Sequence, residues 1–374
     1  MTGALESIVT IVLFFAILGA LVVIHELGHF ITARLARVRV LEFGIGFPPR
    51  AKILSSKGET LYTLNWLPIG GFVKLEGEDG DGSGDPRAFS AQSLPVRLLI
   101  LVSGVVMNVV LAFVIFAGIV WLASPLAGIR FHEVEPGSPA AQAGLTPGDA
   151  IVAIDGQRYQ LMAGPAIIQG LRERAGDTVV LTIDSPDGAR RDVTVTLRDQ
   201  AAIAAGQGAL GIVGNTKPFE VYFDGATTTN DLGTAAQVGS DHTIRWMGLI
   251  IGGLGSLVAS VAADPTAPPP VSGPIGIATQ IGDVFFNAGP IMTLYVAGIL
   301  SANLAVVNIL PFPPLDGGRM LMITLKRIFG TRISVRAEQL TYLVGFVFLF
   351  AFIIWVSGFD IIRTLGGGPP PAAP

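Results

Sequence analysis

The sequence predicts a polytopic α-helical membrane protein with four transmembrane helices, a membrane-associated β-hairpin region, and a small α+β domain inserted on the extracytoplasmic side. Three observations predict it. The 374-residue chain is 51% hydrophobic and only 14% charged, where a soluble domain carries about 25% charged residues. Its uncharged apolar runs are long enough to cross a hydrocarbon core of ~30 Å. Between two of those runs lies a stretch that alternates apolar and polar residues between turn glycines, as half-buried strands do. A net charge of -4 leaves no basic footprint for nucleic acid, so no nucleic-acid partner is expected. The chain has no cysteine, which removes disulfides, thiolate zinc sites and thiol catalysis together. A metal here must be held by His, Asp or Glu.

Residues 1–36 hold the first span. Ser7 to Ile24 carries no charge, and its length corresponds to roughly 27 Å of helix. Glu6 precedes it, no Lys or Arg does, and no small-x-small cleavage site follows, so it reads as a retained span rather than a signal peptide. Residues 37–95 form a loop in which "TLYTLNW" alternates and "GIGFPP" and "PIGGF" punctuate. This is the signature of short hairpin strands, apolar enough to pack against or into the bilayer. Within it, "EDGDGSGDP" (Glu78 to Pro86) is a solvated acidic turn, because its carboxylate spacing does not match a calcium loop. Residues 96–124 hold the second span, with Leu98 to Ala123 apolar throughout.

Residues 125–224 contain "GSPAAQAGLTPGDAIVAIDGQRY" (Gly137 to Tyr159), a helical stretch near Ala166 to Arg174, and the alternating strands "DTVVLTID" and "RDVTVTLR". The run resembles a PDZ domain, present once, whose sheet edge and helix form a groove for an extended peptide or chain end. Residues 225–283 are a linker with an interfacial helix at Trp246 to Ala263, uncharged and rich in Gly and Ser. Residues 284–330 hold the third membrane region. No charge occurs from Val284 to Leu315, yet "NILPFPPLDGG" (Asn308 to Gly318) contains three prolines that forbid a continuous helix. Non-helical backbone at membrane depth is tolerated only against protein or a water-filled cavity, so this break faces inward. Residues 331–374 hold the last span, Tyr342 to Phe359, and the low-complexity tail "GGGPPPAAP".

Basic residues orient the chain. Arg34, Arg37, Arg39, Arg50, Lys52 and Lys57 follow the first span, and Lys326, Arg327, Arg332 and Arg336 follow "LDGG". Both loops are therefore cytoplasmic. Four spans with both termini outside satisfy this, whereas a fifth before Asp316 would export the second basic loop.

The first span ends in "HELGH", which uses two of the four histidines. Residues four apart share a helix face, so His25 and His29 can both face one ion ~2.1 Å away. Glu26 lies about 100° round the helix, beside the ion, where it can take a proton from water that zinc has acidified towards a pKa of ~7. This is the HExxH metallopeptidase pattern. The bland alternative, two rings at an interface, is costly at the end of a membrane helix, where ionisable residues are functional by default. His132 and His242 lack paired ligand spacing and read as ordinary surface histidines. A catalytic zinc takes three protein ligands. The nearest following acid, Glu42, lies beyond the helix and after three arginines, while the inward-facing break offers Asp316. Capping the following helix is the structural alternative for that carboxylate.

HELGH on the first span and "NILPFPPLDGG" on a later one resemble the site-2 protease family of intramembrane zinc metalloproteases, in its regulator of sigma-E protease (RseP) type with a PDZ insertion. "EFGIGFPP" and "LPIGGFVKLEGE" are similar to that family's membrane-associated hairpin, and "SGPIGIA" (Ser272 to Ala278) to the segment before its third span. The resemblance implies Zn2+ held by His25, His29 and Asp316, with Glu26 as general base and Asn308 and Pro311 in the substrate-contacting segment. The family's Gly-Pro-x-x-Asn run reads "GVVMN" here: Gly104 and Asn108 are kept, and Val105 replaces proline. Asn108 can donate to substrate or to a tetrahedral oxyanion. The implied activity is hydrolysis of peptide bonds in or near the transmembrane segment of single-span membrane proteins after a prior ectodomain cut. Anti-sigma factors and signal-peptide remnants are the implied substrates, in the bacterial cytoplasmic (inner) membrane, with the site near its cytoplasmic side. The alternatives are a proteolytically inactive PDZ adaptor on the same scaffold, and an ion transporter. The transporter lacks the internal repeat expected of one.

Overall fold

The computed structural model describes residues 2–78, 84–164, 166–212, 219–264, 266–330 and 334–365. Most of the expected acidic turn (79–83) and the tail from 366 lie outside the described residues. In chain order the elements are α1 (Thr2–Leu35), β1 (Val40–Ser55), β2 (Leu61–Leu75), α2 (Leu94–Ala123), β3 (Ser124–Pro125), β4 (Gly128–Phe131), α3 (Pro139–Gln142), β5 (Ala150–Ile154), β6 (Gln157–Arg158), α4 (Ile167–Glu173), β7 (Thr178–Asp184), β8 (Arg190–Thr196), α5 (Gln200–Ala204), β9 (Phe219–Tyr222), β10 (Thr227–Thr228), α6 (Leu232–Ala263), α7 (Pro274–Asn308), α8 (Asp316–Phe329) and α9 (Val335–Leu365). They divide into two compact units, residues 1–116 with 240–374, and residues 117–239.

In the first unit α1 stops where Arg37 takes a left-handed φ of 60°. Val38 N–H then donates to Ala33 O and Arg37 N–H to Arg34 O, a Schellman closure that satisfies the last carbonyls. The chain enters β1 and β2, whose antiparallel register is repeatedly shifted. Phe43 pairs with both Val73 and Tyr62, and Ile45 with both Gly71 and Leu64. This doubled pairing comes from bends within each strand, at Gly46 (φ 80°) and Gly70 (φ 79°). These are the "GIGFPP" and "PIGGF" stretches that the sequence marks as punctuation. Trp66, Leu67, Ile53 and Leu54 are exposed on the hairpin, an apolar surface suited to lipid rather than water. Below it, Val38, Val40, Leu75, Phe89, Ile100, Leu101 and Ile323 pack into one cluster that joins the hairpin to α1, α2 and α8.

Five helices of the described residues, α1, α2, α6, α7 and α9, are long and apolar enough to cross a membrane, against the four spans expected. The addition is α6, a continuous 32-residue helix that begins well before Trp246. Its start is set by Asp231, whose carboxylate accepts from Thr234 N–H (3.0 Å) and Thr234 Oγ1–H (2.7 Å), an N-terminal cap. Asp241 and Arg245 interrupt its apolar run, which is why an uncharged window begins only at Trp246. α7 likewise starts earlier than the charge-free run, at Pro274, and breaks at Gly289 (φ 82°) before Pro290. Its far end stops at Asn308, ahead of the three prolines, as expected.

The second unit is built on a six-stranded sheet of order β8-β7-β5-β4-β9, with β6 paired to β5. Phe131, Ile151, Ile154, Leu181, Ile183 and Leu210 are enclosed in its core with Leu171 of α4. Ser138 Oγ accepts from Ala141 N–H to cap α3, with Pro139 at the first helical position. The expected helix near Ala166 to Arg174 and the strands "DTVVLTID" and "RDVTVTLR" correspond to α4, β7 and β8. Charged pairs edge the sheet. Arg158 donates to both oxygens of Asp224 (2.8 Å each), while Arg190 joins Asp184 (2.6 and 2.7 Å) to Asp224 (2.8 Å). Burial opposes the Asp224 charge, but the hydrogen bonds from Arg158 and Arg190 outweigh it and hold its pKa down to about 2.

Candidate metal centre

α1 presents His25 and His29 one turn apart, and α8 brings Asp316 to them at its first helical position, after Leu315. The three donor atoms form a small triangle. His25 Nε2 to Asp316 Oδ2 is 2.9 Å, His29 Nε2 to Asp316 Oδ2 is 3.3 Å, and the two Nε2 atoms are 3.1 Å apart. Both histidines are buried. Asp316 spends its carboxylate on this triangle and makes no side-chain cap for α8, so the capping alternative is not what the structure shows.

Glycines make the assembly fit. A Cβ at Gly28 would run into the backbone of Ser103 and lie 2.7 Å from Met107 Cγ, so the glycine of HELGH lets α1 approach α2. A Cβ at Gly104 would fall 2.5 Å from His29 Nε2 and 2.7 Å from His25 Nε2. The space beside the two nitrogens is therefore a cradle that any side chain would fill. Gly317 and Gly318 are required in the same way, because a Cβ at either would strike the backbone of the Ile309–Pro313 turn. The inward-facing break thus stacks directly on the start of α8.

This donor set fits zinc. Ligands on a tetrahedral ion with bonds of ~2.0–2.1 Å are separated by roughly 3.3 Å, close to the three observed edges. Two imidazoles and one carboxylate are the ligand types of catalytic zinc, and three protein ligands leave a position open. His29 is also held in the matching tautomer, since its Nδ1–H donates to Ile100 O (2.8 Å) and so leaves Nε2 its lone pair. Among the described residues this is the only His, Asp and Glu cluster able to hold a metal.

Glu26 is half-buried against β2, where a Cβ at Gly71 would lie 3.9 Å from Glu26 Cγ. No hydrogen bond among the described residues ties its carboxylate. Asn308 is half-buried at the end of α7, and Pro311 is exposed in the turn that follows. Asn108 lies on α2. It has no accessible surface, and its amide lies 3.3 Å from His25 Nδ1. His132 stays at the surface, 3.5 Å from Glu220. His242, expected there too, is half-buried, with Phe116 and Tyr295 as ring neighbours. Sequence reasoning did not find the Ile100 carbonyl or the roles of Gly28 and Gly71. A carbonyl leaves no trace in residue type, and glycine is common in this chain.

Comparison with known proteins agrees with this geometry. The profile of Peptidase family M50 matches residues 13–352. A Clostridium acetobutylicum protein, named as a candidate zinc metalloprotease, is 32% identical over 360 residues, 96% of this chain and 99% of its own length. The zinc metalloprotease RasP of Geobacillus kaustophilus is 29% identical, covering 96% of this chain and 99% of that protein. A Clostridium perfringens relative, again named as a candidate zinc metalloprotease, is 32% identical over 352 residues, 93% of this chain and 98% of its own. With the family profile spanning both HELGH and the Asp316 segment that meets it, the chain belongs to peptidase family M50 and is a zinc metalloprotease of the site-2 type.

Proposed function

We propose that this chain hydrolyses peptide bonds in or near the transmembrane segment of single-span membrane proteins whose ectodomain an earlier cut has removed. In this reading His25, His29 and Asp316 hold the zinc and Glu26 is the general base. The observation that carries it is the triangle of donor atoms closed by α1 and α8 at the end of an apolar helix. Zinc, when bound there, supplies Lewis acidity, making water easier to deprotonate and polarising the scissile carbonyl. The chain's own residues do the rest. Glu26, free of other hydrogen bonds among the described residues, takes the proton from the attacking water and returns it to the departing amide nitrogen, so that water adds across the C–N bond.

A helical substrate hides its carbonyls in its own hydrogen bonds, so the segment to be cut must unwind first. The bent β1–β2 hairpin, with Gly71 beside Glu26, offers a strand edge on which an unwound segment can lie extended. Asn308 at the end of α7 and Pro311 in the turn leading to Asp316 belong to the same substrate-contacting stretch. Residues 125–224 act as a PDZ domain whose groove takes the shortened extracytoplasmic stub. The sheet, α4 and the "GSPAAQAGLTPGD" turn support that assignment. The basic residues after HELGH and after "LDGG" support a bacterial inner-membrane protein with both termini outside and the site near the cytoplasmic face. α6 then lies on or dips into the outer interface.

The test pairs zinc content with cleavage of a single-span reporter lacking its ectodomain. The parent holds one zinc per chain and cuts. Glu26→Gln keeps zinc and stops cutting, and Asp316→Asn loses zinc. A parent and two variants that are equally silent, in a protein that still binds peptide through residues 125–224, would instead make the chain an adaptor.

A further inference from the structure

Asn108 sits on α2 with no accessible surface, and its side chain is incompletely satisfied. The amide nitrogen faces His25 Nδ1 at 3.3 Å, while the amide oxygen is buried without a hydrogen-bond partner among the described residues. A half-turn of the amide only exchanges which of its ends is left unpartnered, so its orientation is decided by what His25 requires. Which end of an Asn amide is oxygen is an assignment made from its neighbours. With the nitrogen towards His25, the ring must accept at Nδ1 and carry its proton on Nε2, the atom that faces Asp316 and His29. A half-turn of the amide reverses this. The oxygen then accepts from His25 Nδ1–H, and Nε2 keeps a lone pair.

One observation favours the turned amide, and a second fixes its position. His29 is already held that way, its Nδ1–H donating to Ile100 O, so α2 would secure both rings by the same device at Ile100 and Asn108. The backbone at Asn108 is also clamped, because Ser301 Oγ–H of α7 donates to Asn108 O at 2.8 Å with Ser301 fully buried. That fixes where the amide is presented.

We infer that Asn108 is a positioning residue for the metal centre, its amide oxygen holding His25 in the Nδ1-protonated tautomer that aims a lone pair from Nε2 at the ion. The inference rests on His25 being a zinc ligand. It assigns Asn108 to the support of a ligand and not to substrate.

The experiment measures zinc affinity by chelator competition on the full chain in nanodiscs, for the parent, Asn108→Leu, Asn108→Asp and His25→Ala. Leu matches the size of Asn but offers no acceptor, and is expected to weaken zinc binding 10–100-fold, the scale at which loss of a ligand's supporting hydrogen bond is felt. Asp offers the acceptor and is expected to bind zinc at least as tightly as the parent, which a purely space-filling role would not require. Nitrogen NMR of labelled histidine in the metal-free parent is expected to show His25 protonated at Nδ1, and needs no variant to fold. Leu binding like the parent, Asp failing as Leu does, or His25 protonated at Nε2 would each overturn the inference. If His25→Ala retained zinc, the ligand reading beneath it would fall. If His25→Ala lost zinc while Asn108→Leu did not, this inference alone would fall.

Discussion

In the unit built from residues 1–116 and 240–374, large apolar side chains face outward; Leu343, Val347, Phe348 and Ile354 of α9 are each 58–61% exposed. In residues 117–239 the arrangement is reversed. Phe131, Ile151, Leu181 and Ile183 are enclosed, and the charges of Arg158, Asp184, Arg190 and Asp224 pair along the sheet. Polar side chains therefore mean different things in the two units. Where the surroundings are lipid, there is no water to satisfy a buried polar group, and it survives only with a partner or a task. Among the enclosed polar groups of the first unit, His25, His29, Asn108 and Ser301 gather around one point, while others are paired elsewhere, Thr60 donating to Val40 O and Asp360 accepting from Gly276 N–H. Where the surroundings are water, charged pairs at the edge of a sheet are structural and individually weak.

Four substitutions test whether the two units do differ in this way. Glu26→Gln should lower peptide cleavage on the order of 10²–10⁴-fold, the scale of a lost general base, with zinc content unchanged when metal analysis is run beside the assay. Phe131→Ala empties the core of the second unit and should destabilise it by about 3–5 kcal/mol. Pulse proteolysis of the full chain reads that loss, and zinc stoichiometry should not follow it; zinc falling in parallel would erase the contrast. Gly104→Ala puts a methyl group 2.5–2.7 Å from both Nε2 atoms and should weaken zinc at least about tenfold, as chelator competition would show. Last is a pH effect confined to residues 117–239. The folded pKa of Asp224, about 2, lies below the ordinary value near ~4. Its stabilisation is therefore complete above the ordinary value and is lost as pH falls from there towards 2. Acid titration of Asp224→Asn should lack that slope; an unchanged slope would show that the Arg158 and Arg190 pairs contribute nothing to stability.

Local chemistry with a fixed period could be read directly from the residues. HELGH places two imidazoles on one helix face, and the prolines of "NILPFPPLDGG" end α7 where they must. "GIGFPP" and "PIGGF" mark the bends of the hairpin. Contacts between distant segments could not be read that way. The residue type of Asn108 suits a polar contact of any kind, and its approach to His25 Nδ1 depends on the crossing of α1 and α2. The start of α6 was missed because two charges break the apolar window, although Asp231 and Thr234 carry a capping pattern that could have found it. His242 lacked ligand spacing and so read as a surface residue, yet its helix sets it among Phe116 and Tyr295.

Zinc K-edge X-ray absorption on the purified full chain, beside His29→Ala and Asp316→Asn, reads the ligand set at the ion itself. The parent should show two imidazole nitrogens and a carboxylate oxygen at about 2.0–2.1 Å, and both variants should lose zinc. A parent spectrum without an imidazole shell, or zinc retained at full stoichiometry by Asp316→Asn, would contradict that ligand set.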